Sequence, residues 1–318
     1  MSDPRIDVHA HYLPPAYRDA AIAAGHAQPD GFPQLPAWTA ADHVAVMDRL
    51  GIGASLLSVS SPGVHFGDDD AARGLARHVN EEGHRAVQAH PGRFGLFASL
   101  PVPDIQGSID EIRYCVDHLG VDGFVLLTNA GGTYLGDPAL EPIFDELDRR
   151  HARVFVHPTS PICWEHTSLG RPRPMLEFLF DTTRAVVNLV LNGTIARHPN
   201  LELIVPHAGA TLPVIADRVA AFSFVLTDLA DGVDVMRDLG RLHFDLAGFP
   251  VPRQLDALLA LTTLEHLHYG SDYPFTPDVV VEMAAESLRG AGDPPGSVLD
   301  ALAANTHRLF PDLAPKRV

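Results

Sequence analysis

Four histidines and one aspartate follow short β-type runs of this 318-residue chain, where they could bind a metal ion. His9 and His11 end the first run as an H-x-H pair, His157 and His207 end two later runs, and Asp272 follows the last. Residues i and i+2 of an extended segment point to the same side, so both imidazoles of the pair can reach one point. Imidazoles combined with one carboxylate suit Zn²⁺, and also Mn²⁺, Fe²⁺ or Co²⁺.

The basic residues exclude several other kinds of catalysis. The chain contains a single lysine, Lys316, close to its end. A lysine in such a tail is a poor candidate for Schiff-base chemistry, for a P-loop or for a carbamylated bridge between two metal ions. A general base must therefore come from the histidines and carboxylates.

The charge and the cysteine content indicate the class of protein. A formal net charge of −17 at pH 7 leaves no basic surface for a nucleic acid or an anionic membrane. Two cysteines cannot form a disulfide scaffold, and the first residues lack a signal-peptide pattern. We therefore expect a cytoplasmic enzyme that acts on a small molecule, with neither a nucleic-acid nor a membrane partner.

Strand and helix patterns alternate through nearly the whole chain. The predicted strands are residues 5–8, 54–59, 94–99, 123–127, 154–156, 202–205, 242–246 and 267–269. The predicted helices are residues 39–50, 70–90, 106–119, 138–150, 181–197, 211–230, 251–261 and 277–289. This rhythm predicts an α/β fold, a (β/α)8 TIM barrel formed by one domain over residues 1–318. The rival doubly wound sheet lacks its G-x-G-x-x-G phosphate fingerprint after the first strand.

Two long loops, residues 20–38 and 159–180, follow the first and fifth predicted strands. In a barrel these loops lie at the carboxyl ends of the strands, where active sites are built. Trp38, Phe66 and Trp164 lie on loops at this rim and could stack on an aromatic substrate, although simple packing explains them equally well. Asp245, after the seventh strand, could orient a ligand histidine.

Several motifs resemble the amidohydrolase superfamily, in its branch of metal-dependent, non-oxidative decarboxylases. That branch includes the aminocarboxymuconate-semialdehyde, γ-resorcylate, 5-carboxyvanillate and 6-methylsalicylate decarboxylases. The matching stretches cover essentially the whole chain: IDVHAHYLP at 6–14, VHP at 156–158, FDTTR at 180–184, HAG at 207–209, LHYGSDYPF at 267–275 and ANTHRLF at 304–310.

The resemblance implies a single metal ion and assigns a role to each site residue. It makes His9, His11, His157 and Asp272 the metal ligands, with Zn²⁺ as the expected ion and Mn²⁺ as the alternative. His207 becomes the catalytic histidine that does not bind the metal. Arg218 matches an arginine that binds the substrate carboxylate, in some members from the neighbouring subunit, so the resemblance also implies a homodimer.

Departures from the pattern narrow the substrate. The γ-resorcylate type has glutamate where this chain has His9 and Ala210, and the FDTTR stretch is most like the 6-methylsalicylate type. Residues 20–37 contain no arginine, unlike the same loop of the aminocarboxymuconate type, which argues against a dicarboxylate. We therefore expect decarboxylation of a small phenolic monocarboxylic acid, or of a related unsaturated acid, with Asp272 and His207 moving the proton.

Two other functions remain open at this point. A lactonase or amide hydrolase could use the same barrel, with His207 activating a metal-bound water for attack on the substrate. Release of CO2, as opposed to addition of water, distinguishes the two enzymes. A catalytically inactive barrel that acts in binding or assembly is the third hypothesis, and stoichiometric metal would argue against it.

Overall fold

Eight short apolar runs pair in parallel and close into a barrel. The computed structural model describes residues 4–226, 229–292 and 295–313, so Lys316 lies outside the described residues. The strands are β1 Arg5–His11, β2 Ile52–Ser58, β3 Phe94–Ser99, β4 Gly123–Leu127, β5 Arg153–His157, β6 Glu202–Val205, β7 His243–Asp245 and β8 Leu267–His268. They are hydrogen-bonded in chain order, and bridges from Asp7 to Tyr269 and from Ala10 to Tyr273 join β1 to the β8 segment. The predicted (β/α)8 barrel is confirmed.

Alternate residues of the strands fill the interior of the barrel. Ile6 and Val8 of β1 are fully buried there, and the rings of Phe97 and Phe155 stack at 5.6 Å. The imidazole of His9 lies above this apolar layer, 4.8 Å from the ring of Phe155. Strict alternation would place Ile6 and Val8 on the opposite face of β1 from His9. The pairing with β2 shifts between Asp7 and Ala10, where β1 has one residue more than its partner, and this irregularity interrupts the alternation before the strand reaches the rim.

The helices surround the barrel. They are α1 Pro15–Ala23, α2 Ala40–Leu50, α3 Asp69–Ala89, α4 Ile105–Tyr114, α5 Glu141–Arg149, α6 Trp164–Thr167, α7 Glu177–Leu191, α8 Thr194–Arg197, α9 Leu212–Ser223, α10 Val235–Gly240, α11 Gln254–Leu261, α12 Asp278–Arg289 and α13 Ser297–Leu309. Within the described ranges, no helix is both long enough and apolar enough to cross a bilayer.

The structure differs from the predicted helices at a few places. The predicted helix 181–197 begins earlier, at Glu177, and is divided at Gly193, whose φ of 72° ends the α-helical run. The predicted helix 211–230 ends at Ser223, and its residues 227–228 are outside the described part of the chain. The predicted loops also contain short elements, α1 and α6, which the hydrophobic period did not indicate.

A second group of histidines lies between strands β7 and β8 and helix α13. His268 is fully buried, and its Nε2 lies 2.7 Å from Nδ1 of His243 while its Nδ1 lies 3.0 Å from the Thr306 hydroxyl. Burial, followed by the charges of His243, His266 and Arg308, holds the pKa of His268 well below its usual value. The folded protein therefore keeps this imidazole neutral at a pH where the unfolded chain would protonate it.

This difference predicts that acid destabilises the fold through His268. Below pH 6.5 the unfolded chain binds a proton that the folded chain does not, which costs about 1.4 kcal/mol of stability for each pH unit. We expect His268→Asn to reduce the loss of unfolding free energy between pH 7 and pH 5.5, measured by denaturant titration of chelator-treated protein. His118→Asn, at an exposed position, is the control. Equal pH slopes in the native protein and His268→Asn would contradict the assignment.

Candidate metal centre

Three histidines and one aspartate meet at the rim of the barrel. One ligating atom from each of His9, His11, His157 and Asp272 lies within 4.8 Å of those of the others. Oδ1 of Asp272 is 3.4 Å from Nε2 of His9 and 3.2 Å from Nε2 of His11. The three imidazoles are buried. The structure therefore brings together the four residues that the sequence predicts as metal ligands.

In each of these three imidazoles, Nδ1 already faces an oxygen atom of the protein. Each ring places Nδ1 against an oxygen acceptor: His9 at 2.9 Å from Oδ2 of Asp245, His11 at 3.3 Å from the Ser58 carbonyl, and His157 at 2.8 Å from the Pro158 carbonyl. A proton on Nδ1 leaves the lone pair on Nε2, the atom that faces the shared point.

The chain itself does not satisfy these lone pairs. Nε2 of His9 and Nε2 of His11 are buried, and neither has a hydrogen-bond partner in the described part of the chain. Buried polar atoms normally have partners, and a divalent cation is the partner that several converging nitrogen lone pairs prefer. The residues therefore fit a bound divalent metal ion.

The charges of the protein groups also favour a cation. Burial holds the pKa of His157 well below its usual value, so this imidazole is neutral. Burial would raise the pKa of Asp272, but the charge of His9 and the nearby imidazoles of His11 and His207 hold it well below its usual range. Burial favours neutral His9, yet the carboxylates of Asp245 and Asp272 raise its pKa to about 10. The buried carboxylate of Asp245 and the half-buried carboxylate of Asp272 thus favour positive charge here, from a proton or a metal ion.

His207 stands beside the four ligands on an unusual turn. Its Nε2 lies 3.9 Å from Oδ2 of Asp272. The backbone of His207, Ala208 and Ala210 has φ values of 55°, 53° and 56°, a region that residues other than glycine rarely adopt. Oδ1 of Asp245 accepts the N–H of His207 at 3.1 Å, so the residue that orients His9 also holds this turn.

Gln254, at the start of α11, supports the same turn. Its side-chain nitrogen lies 2.9, 3.2 and 2.8 Å from the carbonyl oxygens of His207, Ala208 and Ala210. Sequence reasoning missed this residue, since it is 47 positions from His207 and belongs to no recognisable motif. Only the packing of α11 against the turn reveals it.

A cavity of about 830 Å³ opens beside the metal centre. Its floor includes Val125 and Leu127 of β4, and its wall includes Trp164 and Arg173 from the loop after β5. The four clustered residues and His207 do not line this cavity. Its lining residue Val59 precedes Ser60, whose Oγ lies 3.4 Å from Nε2 of His157. The volume suits a small organic ligand.

The other predicted substrate residues are distributed differently. Trp164 lines the cavity, and Phe66 packs against the lining residue His26 with 5.2 Å between ring centroids. Trp38 lies outside the cavity lining, where its indole N–H donates to Nδ1 of His43 at 2.9 Å. Arg218 is exposed on α9, 4.9 Å from the ring of Phe222, and does not line the cavity of its own chain.

Known proteins resemble this chain over nearly its full length. Residues 6–310 match the family model described as amidohydrolase. A 6-methylsalicylic acid decarboxylase of Aspergillus aculeatus, acuB, is 35% identical over 320 residues, which cover 97% of this chain and 96% of that protein. A solved structure of an Amidohydrolase II superposes with a TM-score of 0.91 at 35% identity and covers 96% of this chain and 99% of its own.

A more distant structure shares the fold. The manganese complex of 5-carboxyvanillate decarboxylase from Novosphingobium aromaticivorans superposes with a TM-score of 0.84 at 21% identity, over 97% of this chain and 96% of its own. The family match and the 35% identical decarboxylase each extend over more than nine-tenths of the chain. The chain belongs to the amidohydrolase superfamily, within its branch of metal-dependent decarboxylases, and is a carboxy-lyase.

Proposed function

We propose that this carboxy-lyase removes CO2 from a small phenolic acid of the 6-methylsalicylate type by a metal-dependent, non-oxidative reaction. The observation that carries the proposal is the convergence of three imidazoles and Asp272 beside His207 at the rim of the barrel. Similarity to a 6-methylsalicylic acid decarboxylase supports the substrate class. We treat residues 1–318 as one domain, and a cytoplasmic location remains a prediction.

One divalent ion would be held by His9, His11, His157 and Asp272. We favour Zn²⁺ because three imidazoles and one carboxylate suit it, with Mn²⁺ as the alternative that a structural neighbour binds. When bound, the ion supplies positive charge that fixes and polarises the oxygen atoms of the substrate. Asp245 would orient His9 as a ligand through its hydrogen bond to Nδ1.

Asp272 and His207 are the residues that would handle the proton. Loss of CO2 directly from an aromatic ring would leave an aryl carbanion, so the ring carbon must first be protonated. In our proposal Asp272 accepts a proton from His207 and passes it to the ring carbon, the C–C bond then breaks, and its electron pair restores the aromatic ring as CO2 leaves. His207 exchanges the proton with Asp272, since their side chains lie 3.9 Å apart and need only a small movement to hydrogen-bond.

Arg218 would act from a second copy of the chain. It is exposed on α9 and does not line the cavity of its own chain. Around it, α9 and the residues after it expose Val214, Phe222 and Phe224, an apolar surface that a second copy could cover. We propose a homodimer in which Arg218 of each chain binds the substrate carboxylate in the cavity of the other.

The function is tested by assaying metal-loaded protein with 6-methylsalicylate and measuring both CO2 and the phenolic product. We expect equal amounts of the two products from the native protein. His207→Asn should lower kcat by at least about 100-fold while the metal content stays unchanged, because it removes a proton-transfer group but no ligand. His118→Asn, an exposed position on the outside of the barrel, should retain native activity.

Two results would contradict this function. A native rate in His207→Asn would remove His207 from the reaction. Metal-loaded native protein that releases no CO2 from phenolic acids, but adds water to lactones or amides, would identify the hydrolase alternative.

The turn that carries His207 generates a second prediction. Gln254→Leu removes the donor shared by three carbonyl oxygens and leaves them unpaired, which should displace the imidazole. We expect kcat to fall by roughly 10- to 100-fold with a much smaller change in KM and normal metal content, because a displaced catalytic group mainly affects the chemical step. Gln88→Leu, at an exposed position on α3, is the control. A rise in KM with unchanged kcat would argue against a positioning role.

A further inference from the structure

Arg173 is held rigidly at the wall of the cavity. The centre of its guanidinium group lies 4.1 Å from the centroid of the Trp164 ring, so one face is covered by an aromatic surface. Its Nε donates to the Ser160 hydroxyl at 3.0 Å, and that hydroxyl in turn donates to the carboxylate of Asp30. Stacking and a single side-chain bond thus fix the plane of the group.

The loop after β1 closes another side of the guanidinium. A Cβ atom placed on Gly31 would lie 3.0 Å from Nη1 of Arg173, so this position accommodates the arginine because it is glycine. The φ of Gly31 is +82°, which also favours glycine. Arg173 therefore connects the two long rim loops, one after β1 and one after β5.

The terminal nitrogens of Arg173 are left without an acceptor. Among the described residues, neither Nη1 nor Nη2 has a hydrogen-bond partner, and no carboxylate lies within the 4.0 Å that defines an ion pair. Asp30, the acidic residue beside it, is engaged with Ser160 instead. Burial lowers the pKa of the guanidinium from its usual value, so the group has lost part of its hydration. A partly dehydrated cation with two free donors is suited to bind an oxyanion bidentately.

The cavity has room for such a group. At about 830 Å³ it lies in the upper part of the range for sites that bind drug-sized molecules, which is more than a single substituted benzoic acid requires. Arg173 is the only arginine or lysine among the described residues that line it. Arg173 is therefore the permanent positive charge that the cavity lining offers to an anionic substituent of the substrate.

We propose that Arg173 binds a second carboxylate of the substrate, remote from the one that leaves, so the preferred substrates are phenolic acids with an additional carboxylate. This proposal rests on the proposed decarboxylase function and refines its substrate class. The absence of arginine from residues 20–37 favoured a monocarboxylic acid in the sequence. Arg173 of the other rim loop packs against Gly31 of this one, and thereby brings an arginine to the side of this loop.

Binding of matched ligands to metal-loaded protein tests the proposal. Salicylate is compared with 4-carboxysalicylate and 5-carboxysalicylate, which differ from it only by the added carboxylate. The chain has two tryptophans, so Trp38→Phe leaves Trp164, stacked on Arg173, as the fluorescent reporter. If the Trp38→Phe protein folds poorly, calorimetric titration of the protein with Trp38 intact measures the same affinities.

We expect at least one carboxysalicylate to bind the native protein roughly 10-fold or more tightly than salicylate, as a charge-assisted bidentate contact would give. Arg173→Gln should abolish this preference and leave the affinity for salicylate nearly unchanged, and Arg173→Lys should restore part of it. Arg171→Gln, two residues away and exposed, should behave as the native protein.

Two outcomes would overturn the proposal. The first is that the native protein binds salicylate and both carboxysalicylates with equal affinity. The second is that Arg173→Gln weakens the binding of all three ligands by the same factor. Binding requires no turnover, so a protein that shows the Arg173-dependent preference but releases no CO2 would refute the proposed reaction and not this assignment.

Discussion

One buried carboxylate, that of Asp245, connects the metal centre to the residue beside it. One of its oxygens lies 2.9 Å from Nδ1 of His9, and the other accepts the backbone N–H groups of His207 and Ala247. Because Asp245 is fully buried, these bonds have no competition from solvent. A single group therefore orients His9 of β1, a proposed metal ligand, and the turn after β6 that carries His207, and fixes their relative position.

The residues around this carboxylate adopt a backbone conformation that has to be supported. Asp272 and His207 have φ values of 58° and 55°, and such residues typically cost about 1–3 kcal/mol each. The N–H of Asp272 donates to the carbonyl of His9 at 2.7 Å, so the closing edge of the barrel holds Asp272 in place. Gln254 supports the other turn from α11. The regular barrel thus stabilises two strained segments at its rim, where the side chains meet.

The sequence indicates the barrel and the positions of the ligands because both depend on short-range patterns. His157, for example, ends an apolar run, and in a parallel barrel the carboxyl ends of all the strands lie on one rim. Contacts between loops have no such pattern. Arg173 reaches Gly31 and Trp164 only after two irregular loops have folded, and Trp38, which the spacing places at the rim, packs against His43. Side chains that support the site from a distance therefore required the structure.

The central claim is that His9, His11, His157 and Asp272 form one site for a divalent ion, and calorimetric titration of chelator-treated protein with Zn²⁺ and Mn²⁺ tests it most directly. The account predicts one equivalent of metal per chain. It also predicts that His157→Ala weakens binding by at least about 100-fold, because one of four ligands is lost, while the fold is retained. The exposed variant His118→Asn should bind as the native protein. The absence of stoichiometric binding, or native affinity in His157→Ala, would contradict the claim.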